Sequence, residues 1–243
     1  MILPNLKDAL HKAMMYRLLI GVLDNRKLAS SLYFKGGTCA AMLGYLDRFS
    51  IDLDFDLKRK ADKEEIRAIL RKISRQLAFS IKEEAKNELF FVLKYESPVG
   101  MRNTMKIGIV DEYISANIYK PLFLADISRY SICQSKETMF ANKLVATTDR
   151  YKKYETIAGR DIYDIHHFFL SGFDYRREVI EERTGKSWSI YLGELSDFIK
   201  KKITDRNLQE DLSTLLPWEK FTAIRKSLKI ETLAFIADEI CRK

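Results

Sequence analysis

Three stretches of this chain combine residue types that could handle a nucleoside triphosphate. The first, RFSIDLDFD from Arg48 to Asp56, carries Asp52 and Asp54 two residues apart. On an extended segment such residues project from one face, roughly 6–7 Å apart along the chain. Carboxylates so placed can share one divalent cation, or hold two about 3.5–4 Å apart for in-line displacement at phosphorus. Magnesium favours such oxygen ligands and keeps waters and substrate phosphates in the rest of its shell. The structural alternative is an acidic, exposed strand face. It would put Asp52, Asp54 and Asp56 together as like charges, which needs a cation or a basic group, and Arg48 can supply part of that.

The second stretch is KGGT, Lys35 to Thr38. Gly36 and Gly37 permit positive φ and let a phosphate approach the backbone amides. A helix opening near Thr38 would aim its N-terminal dipole at the same anion. Lys35 can add a charge, and the hydroxyls of Thr38 and Ser50 can donate to phosphate oxygens. Taken alone, Gly-Gly reads as a tight strand-to-helix connection. The third stretch runs from Ala141 to Phe168. Lys143, Thr147 and Arg150 share a helix face, and Arg160, Asp161 and Asp164 open the following helix. Acids near a helix N-terminus are favoured by its dipole, so Asp161 and Asp164 have a structural role available. The functional alternative has Lys143 on a triphosphate and Asp161 deprotonating or orienting an acceptor hydroxyl. Both readings stand on these residues.

The elements that must position these groups follow from hydrophobic period. An i, i+3, i+4 stripe predicts a helix over Asn5–Asn25. Leu32–Phe34 reads as a short strand and Thr38–Leu46 as a helix with Thr38 at its cap or first turn. Strict alternation makes Ile51–Leu57 a strand with the aspartates on one side. A charged amphipathic helix over Lys60–Ala78 and strands over Leu89–Tyr95 and Met105–Val110 complete a mixed half. From Ser135 onward helical patterns dominate, over Lys136–Tyr154, Arg160–Leu170, Arg176–Thr184, Tyr191–Ile203 and Trp218–Cys241. The expected fold class is therefore α+β, with a boundary between Leu122 and Ser135.

Composition narrows the function classes. The 243 residues carry 42 Lys and Arg against 34 Asp and Glu, a net charge of +8 that favours polyanionic partners. Cys39, Cys133 and Cys241 lack metal-ligand spacing, and the adjacent His166 and His167 point in different directions on a helix, so neither set suggests zinc. The cysteines fit reduced thiols of a cytoplasmic protein. The apolar run Ala13–Leu23 is too short and too interrupted to span a membrane and lacks a signal-peptide pattern.

Taken together, KGGT, RFSIDLDFD and KLVATTDR…GRDIYDI (Lys143–Ile165) resemble, in order, the AbiEii/AbiGii (MenT-like) nucleotidyltransferase toxins of the polymerase-β-like superfamily. The resemblance covers about the first 170 residues. It implies a nucleotidyltransferase lobe with a mixed sheet over residues 1–128 and a helical lobe over 129–243 that completes the active-site cleft. It also implies transfer of NMP from an NTP with release of pyrophosphate, dependent on Mg2+ or Mn2+, in a toxin–antitoxin or phage-defence setting. An RNA acceptor such as tRNA and a winged-helix antitoxin encoded nearby are the implied partners, in the cytoplasm. Carried over by position, Asp52 and Asp54 would bind metal, and Lys143 and Asp161 would complete the catalytic set. Lys35, Gly36, Gly37, Thr38, Arg48, Ser50, Arg150 and Arg160 would serve nucleotide and phosphate, with Asp164 in support. One departure stands out. Many nucleotidyltransferases place a third carboxylate on a neighbouring strand, and here that position is Gly108, with Asp111 and Glu112 only at the strand's end. Transfer to a protein or small molecule, or a binding module that has lost catalysis, are the competing readings.

Overall fold

The computed structural model describes residues 1–242 and divides the chain into two compact units. The first comprises Met1–Tyr113 and Tyr119–Gln134, the second Ile114–Ile118 and the chain from Ser135 onward.

The first unit is built on a seven-stranded mixed sheet. Its strands are β1 (Leu32–Lys35), β2 (Leu53–Leu57), β3 (Ser80–Glu84), β4 (Leu89–Lys94), β5 (Thr104–Val110), β6 (Tyr119–Leu124) and β7 (Arg129–Gln134). They lie in the order β3-β4-β5-β2-β1-β7-β6. The β1–β7 and β2–β5 pairs are parallel and the other four are antiparallel. Alternation decides which side is buried: Phe34, Leu53, Phe55, Phe91, Leu93, Met105 and Ile107 all point to one face. That face packs on α1 (Ala9–Asp24), α2 (Arg26–Ser31) and, near β3 and β4, α4 (Lys63–Gln76). Asp62 caps α4 by accepting from the N–H groups of Glu64 and Glu65, which starts the helix three residues later than its charge pattern predicts. Between β1 and β2 the short α3 (Gly36–Met42) closes with a turn at Gly44 (φ 74°) instead of running to Leu46.

The second unit is helical: α5 (Lys136–Tyr154), α6 (Gly159–Leu170), α7 (Arg177–Thr184), α8 (Trp188–Lys202), α9 (Asp205–Leu212), α10 (Trp218–Ile224) and α11 (Leu228–Cys241). The single helix expected from Trp218 to Cys241 is thus two. Its core includes Phe140, which meets the rings of Phe168 and Phe169 at 5.0 and 4.7 Å. Gly159 starts α6 where a Cβ would lie 2.4 Å from the Asn207 carbonyl of α9, so only glycine allows these helices to meet this closely. None of the described helices is long and apolar enough to cross a membrane.

Candidate nucleotidyl-transfer site

In the first unit, β2 follows α3 directly in the chain and pairs antiparallel with β1, so the glycine pair and the carboxylates meet through local connections. Lys35 lies opposite Asp54, and Asp54 lies opposite Gly108 on the other side. The Asp54 carboxylate is flanked by two glycines. A Cβ on Gly36 (φ 79°) would fall 2.6 Å from Asp54 Oδ2, and one on Gly108 would fall 3.2 Å from Oδ1. Gly108 is therefore the space that Asp54 occupies, and a third carboxylate there would crowd it. Asp111 is ion-paired with Lys63 instead.

Asp52 sits one residue before the regular part of β2. Its Oδ1 accepts the Lys106 backbone N–H at 3.2 Å. Its carbonyl accepts the Thr38 hydroxyl, which also lies 2.9 Å from Ser50 Oγ. Thr38 lies in the first turn of α3, one of the two places expected for it: Lys35 holds the N-cap position without a side-chain bond, and the Thr38 hydroxyl ties α3 to the segment bearing the acids. On the preceding residue the Ile51 carbonyl accepts from His11 Nε2 at 2.9 Å, while His11 Nδ1 meets Tyr95 Oη at 2.6 Å. A carbonyl must receive a proton, so His11 carries hydrogen on Nε2 and Nδ1 accepts from the tyrosine. Burial lowers the histidine's pKa and raises that of Tyr95 to about 12, which keeps both neutral in this role.

Asp56, the third acid of the face, is buried and fully engaged. Lys35 forms an ion pair with its Oδ1, and Tyr119 Oη and Gln134 Nε2 donate to Oδ2 at 2.9 and 2.6 Å. Compensation for Asp56 thus comes from Lys35, Tyr119 and Gln134, and the Lys35 ammonium already holds a carboxylate. Arg48 is itself buried. It donates to the Phe49 carbonyl at 2.8 Å, and its Nη2 would be 2.7 Å from a Cβ on Gly37. Ser50 Oγ would be 3.0 Å from the same Cβ, so Gly37, Arg48 and Ser50 converge on one spot.

The second unit brings the remaining candidates together by itself. Lys143 Nζ contacts Asp161 Oδ1 at 3.0 Å and Asp164 Oδ2 at 2.8 Å, and Arg150 Nε reaches Asp161 Oδ2 at 3.3 Å. Burial alone would raise the Asp161 pKa, but Lys143, Arg150 and Arg160 outweigh it and hold the carboxyl at about 2. Arg160 is placed at the start of α6, where its N–H faces Asp211 Oδ2 at 3.4 Å. His166 bonds Glu231 of α11 at 2.7 Å, so it serves helix packing.

A model of the family described as nucleotidyl transferase AbiEii toxin, type IV toxin–antitoxin system, matches residues 17–223. The chain belongs to the AbiEii nucleotidyltransferase toxin family. An antitoxin partner is implied by membership of a type IV system. No curated protein matches the chain in sequence. Among solved structures, JHP933 of Helicobacter pylori is 18% identical with a TM-score of 0.55, covering 96% of this chain and 94% of its own. The nucleotidyltransferase toxin MenT4 of Mycobacterium tuberculosis is 16% identical with a TM-score of 0.56, covering 96% and 84%. These likenesses establish the AbiEii chain's fold as that of the nucleotidyltransferase toxins.

The features that sequence reasoning missed are those that hold the acids in place. His11 and Tyr95 lie 40 and 44 residues from Ile51 on opposite sides in sequence, and no local spacing links them. Gln134 and Tyr119 reach Asp56 only because β7 and β6 extend the sheet beyond β1. A depression of 810 Å³ at the β3–β4 edge, lined by Ser80, Lys94, Tyr95 and Asn103 among others, includes none of the acids.

Proposed function

We propose that this toxin transfers a nucleoside monophosphate from an NTP to an RNA acceptor, with tRNA the leading candidate, and releases pyrophosphate. The observation that carries the reading is Asp54 set between two side-chain-free positions, with Gly37, Arg48 and Ser50 converging beside it and Asp52, two residues before it, held by the Lys106 N–H. The donor set suits a magnesium or manganese ion. It consists of carboxylate oxygens, and no group of three or more His, Cys, Asp or Glu side chains among the described residues could hold a metal alone. On such oxygen ligands a magnesium or manganese ion keeps water and substrate phosphates in the rest of its shell. Such a cation, held by Asp52 and Asp54, supplies charge neutralisation on the triphosphate.

The chain's own residues account for the rest. Lys106 N–H and Thr38 fix Asp52, and Gly36 and Gly108 leave room for the Asp54 carboxylate. Ser50 and the Gly36–Gly37 backbone receive phosphate oxygens, with Arg48 contributing charge. The acceptor hydroxyl oxygen then bonds to the α-phosphorus as the bond to pyrophosphate breaks and the hydroxyl proton passes to water, so catalysis consists of positioning and charge stabilisation. We assign Lys143, Arg150 and Arg160 to nucleotide binding on the family resemblance. Asp161 is a poor general base because three cations keep it ionised at low pH. It serves to orient Lys143 and Arg150. The winged-helix antitoxin is part of the same proposal.

The test is incubation of α-labelled NTP and Mg2+ with RNA, protein and small-molecule fractions, comparing wild type with Asp54→Ala. Label should enter RNA and fall by at least about 100-fold in the variant, in line with loss of a transition-state charge contact. Bacterial growth should arrest on expression of wild type only. Equal labelling by both proteins removes the catalytic assignment, and label confined to protein removes the RNA acceptor.

A further inference from the structure

The sheet face that carries Asp54 and Asp56 continues past them as a strip of apolar and aromatic side chains. Tyr33 of β1 lies against Tyr119 of β6, with ring centroids 4.5 Å apart. Pro121 stands opposite Ile132, and Phe123 opposite Tyr130 with rings 5.2 Å apart. The strip joins the acids directly, because the Tyr119 hydroxyl bonds Asp56. Its outer end is open: Tyr130 is 71% exposed and Phe123 50%. On the other side of the sheet α2 packs on β1 and β7, and α1 on β7. One cation flanks the strip. The Lys58 N–H to Ser31 carbonyl bond extends β2 by a residue, so alternation puts Lys58 on the face of Asp54 and Asp56. Lys58 is exposed and has no ion-pair partner among the described residues.

We infer that this strip is the platform on which unpaired nucleotides of an RNA acceptor stack, an assignment that rests on the transfer reading above for its substrate class. Successive rows of side chains on a strand are roughly 6–7 Å apart and stand off the sheet. Aromatic rings so displayed accept bases of any identity, and exposed sheet aromatics are a recurrent means of holding single strands. A protein partner would call for about 20–30 residues on this side, whereas the strip has six. The strip leads to the carboxylates, where the reactive end of an acceptor must arrive. Lys58 and the net charge of +8 suit a phosphate backbone.

The experiment measures binding of a labelled single-stranded oligoribonucleotide of about 12 nucleotides, a length typical of such sites, by fluorescence anisotropy. The full chain is compared with Phe123→Ala/Tyr130→Ala and with Phe123→Tyr/Tyr130→Phe. Alanine should weaken binding at least about 10-fold, the ring-preserving pair should stay within about 2-fold, and NTP binding should be unchanged in both. Unchanged RNA affinity in the alanine variant overturns the inference, as does a wild-type chain that binds no RNA. A change in oligomeric state with RNA affinity retained reassigns the strip to protein contact. If RNA affinity depends on the rings while Asp54→Ala leaves label transfer intact, the platform stands and the transfer reading fails.

Discussion

Asp54 and Asp161 are both functional carboxylates in our reading, yet their surroundings set them opposite tasks. Asp54 is given room by glycines on either side, so added bulk should harm it. Gly108→Asp restores the carboxylate that many nucleotidyltransferases have, but here its Cβ would sit 3.2 Å from Asp54 Oδ1 and bring a like charge. We expect label transfer at saturating NTP to fall roughly 10- to 100-fold, since small misplacements of reacting groups cost that much. A gain in activity would show that the position accepts a third ligand. Asp161 is instead locked by cations. Its folded pKa of about 2 lies below the ordinary aspartate value of 3.8, so its contribution to stability is present above pH 3.8 and is lost as pH falls through 2. That contribution is on the order of 2 kcal/mol. Thermal melts of wild type and Asp161→Asn should differ at neutral pH and converge between pH 4 and 2. A constant gap across that range would show that the ion pairs do not set the difference.

Among the elements, the β3–β4 hairpin depends on one buried side chain from α4. The Arg67 guanidinium bonds Glu84 and the carbonyls of Ala85, Lys86 and Glu88, closing the hairpin against the helix. Arg67→Met keeps the aliphatic stem and strands these acceptors, with Arg71 alone left on Glu84. Removing one partner of a buried network costs about 3 kcal/mol, so chemical denaturation should show a loss of that size. A change under about 0.5 kcal/mol, typical of an exposed site, would mean that solvent already satisfies the hairpin. The same helix illustrates what sequence patterns convey. Its amphipathic run was legible to within a few residues, because helix period and the Asp62 cap are local. β3, β6 and β7 were not legible. β3 and β6 are edge strands with mostly half-exposed or exposed side chains, and β7 buries its residues through pairing with β1 instead of through a conspicuous apolar run.

At the scale of the whole molecule, the excess of basic residues bears on acceptor binding more than on fold. If RNA is the acceptor, its affinity should fall about 20-fold between 50 and 200 mM salt, as expected for roughly three neutralised phosphates of a single strand. NTP affinity at fixed magnesium should change much less. An RNA affinity indifferent to salt would rule out backbone contacts. The two compact units also part from the simple boundary near residue 128. β7 belongs with the first sheet, while the short segment Ile114–Ile118 belongs with the helices, where the Ser115 and Ala116 N–H groups are held by Glu182. The chain therefore crosses between units three times.

The amino-acid sequence by itself determined the local chemistry: alternation put Asp54 and Asp56 on one side of β2, with Asp52 just before the strand, and the Gly-Gly turn preceded them by a single short helix. Those relations need only the strand and helix periods. Tertiary structure decided which groups the acids actually meet. It set the Asp54 carboxylate in the room a side chain on Gly108 would need, gave Asp56 to Lys35, and tied the Ile51 carbonyl to His11 and, through it, to Tyr95. Each of these depends on strand order and register, which bring together residues tens of positions apart, and no local period encodes that pairing.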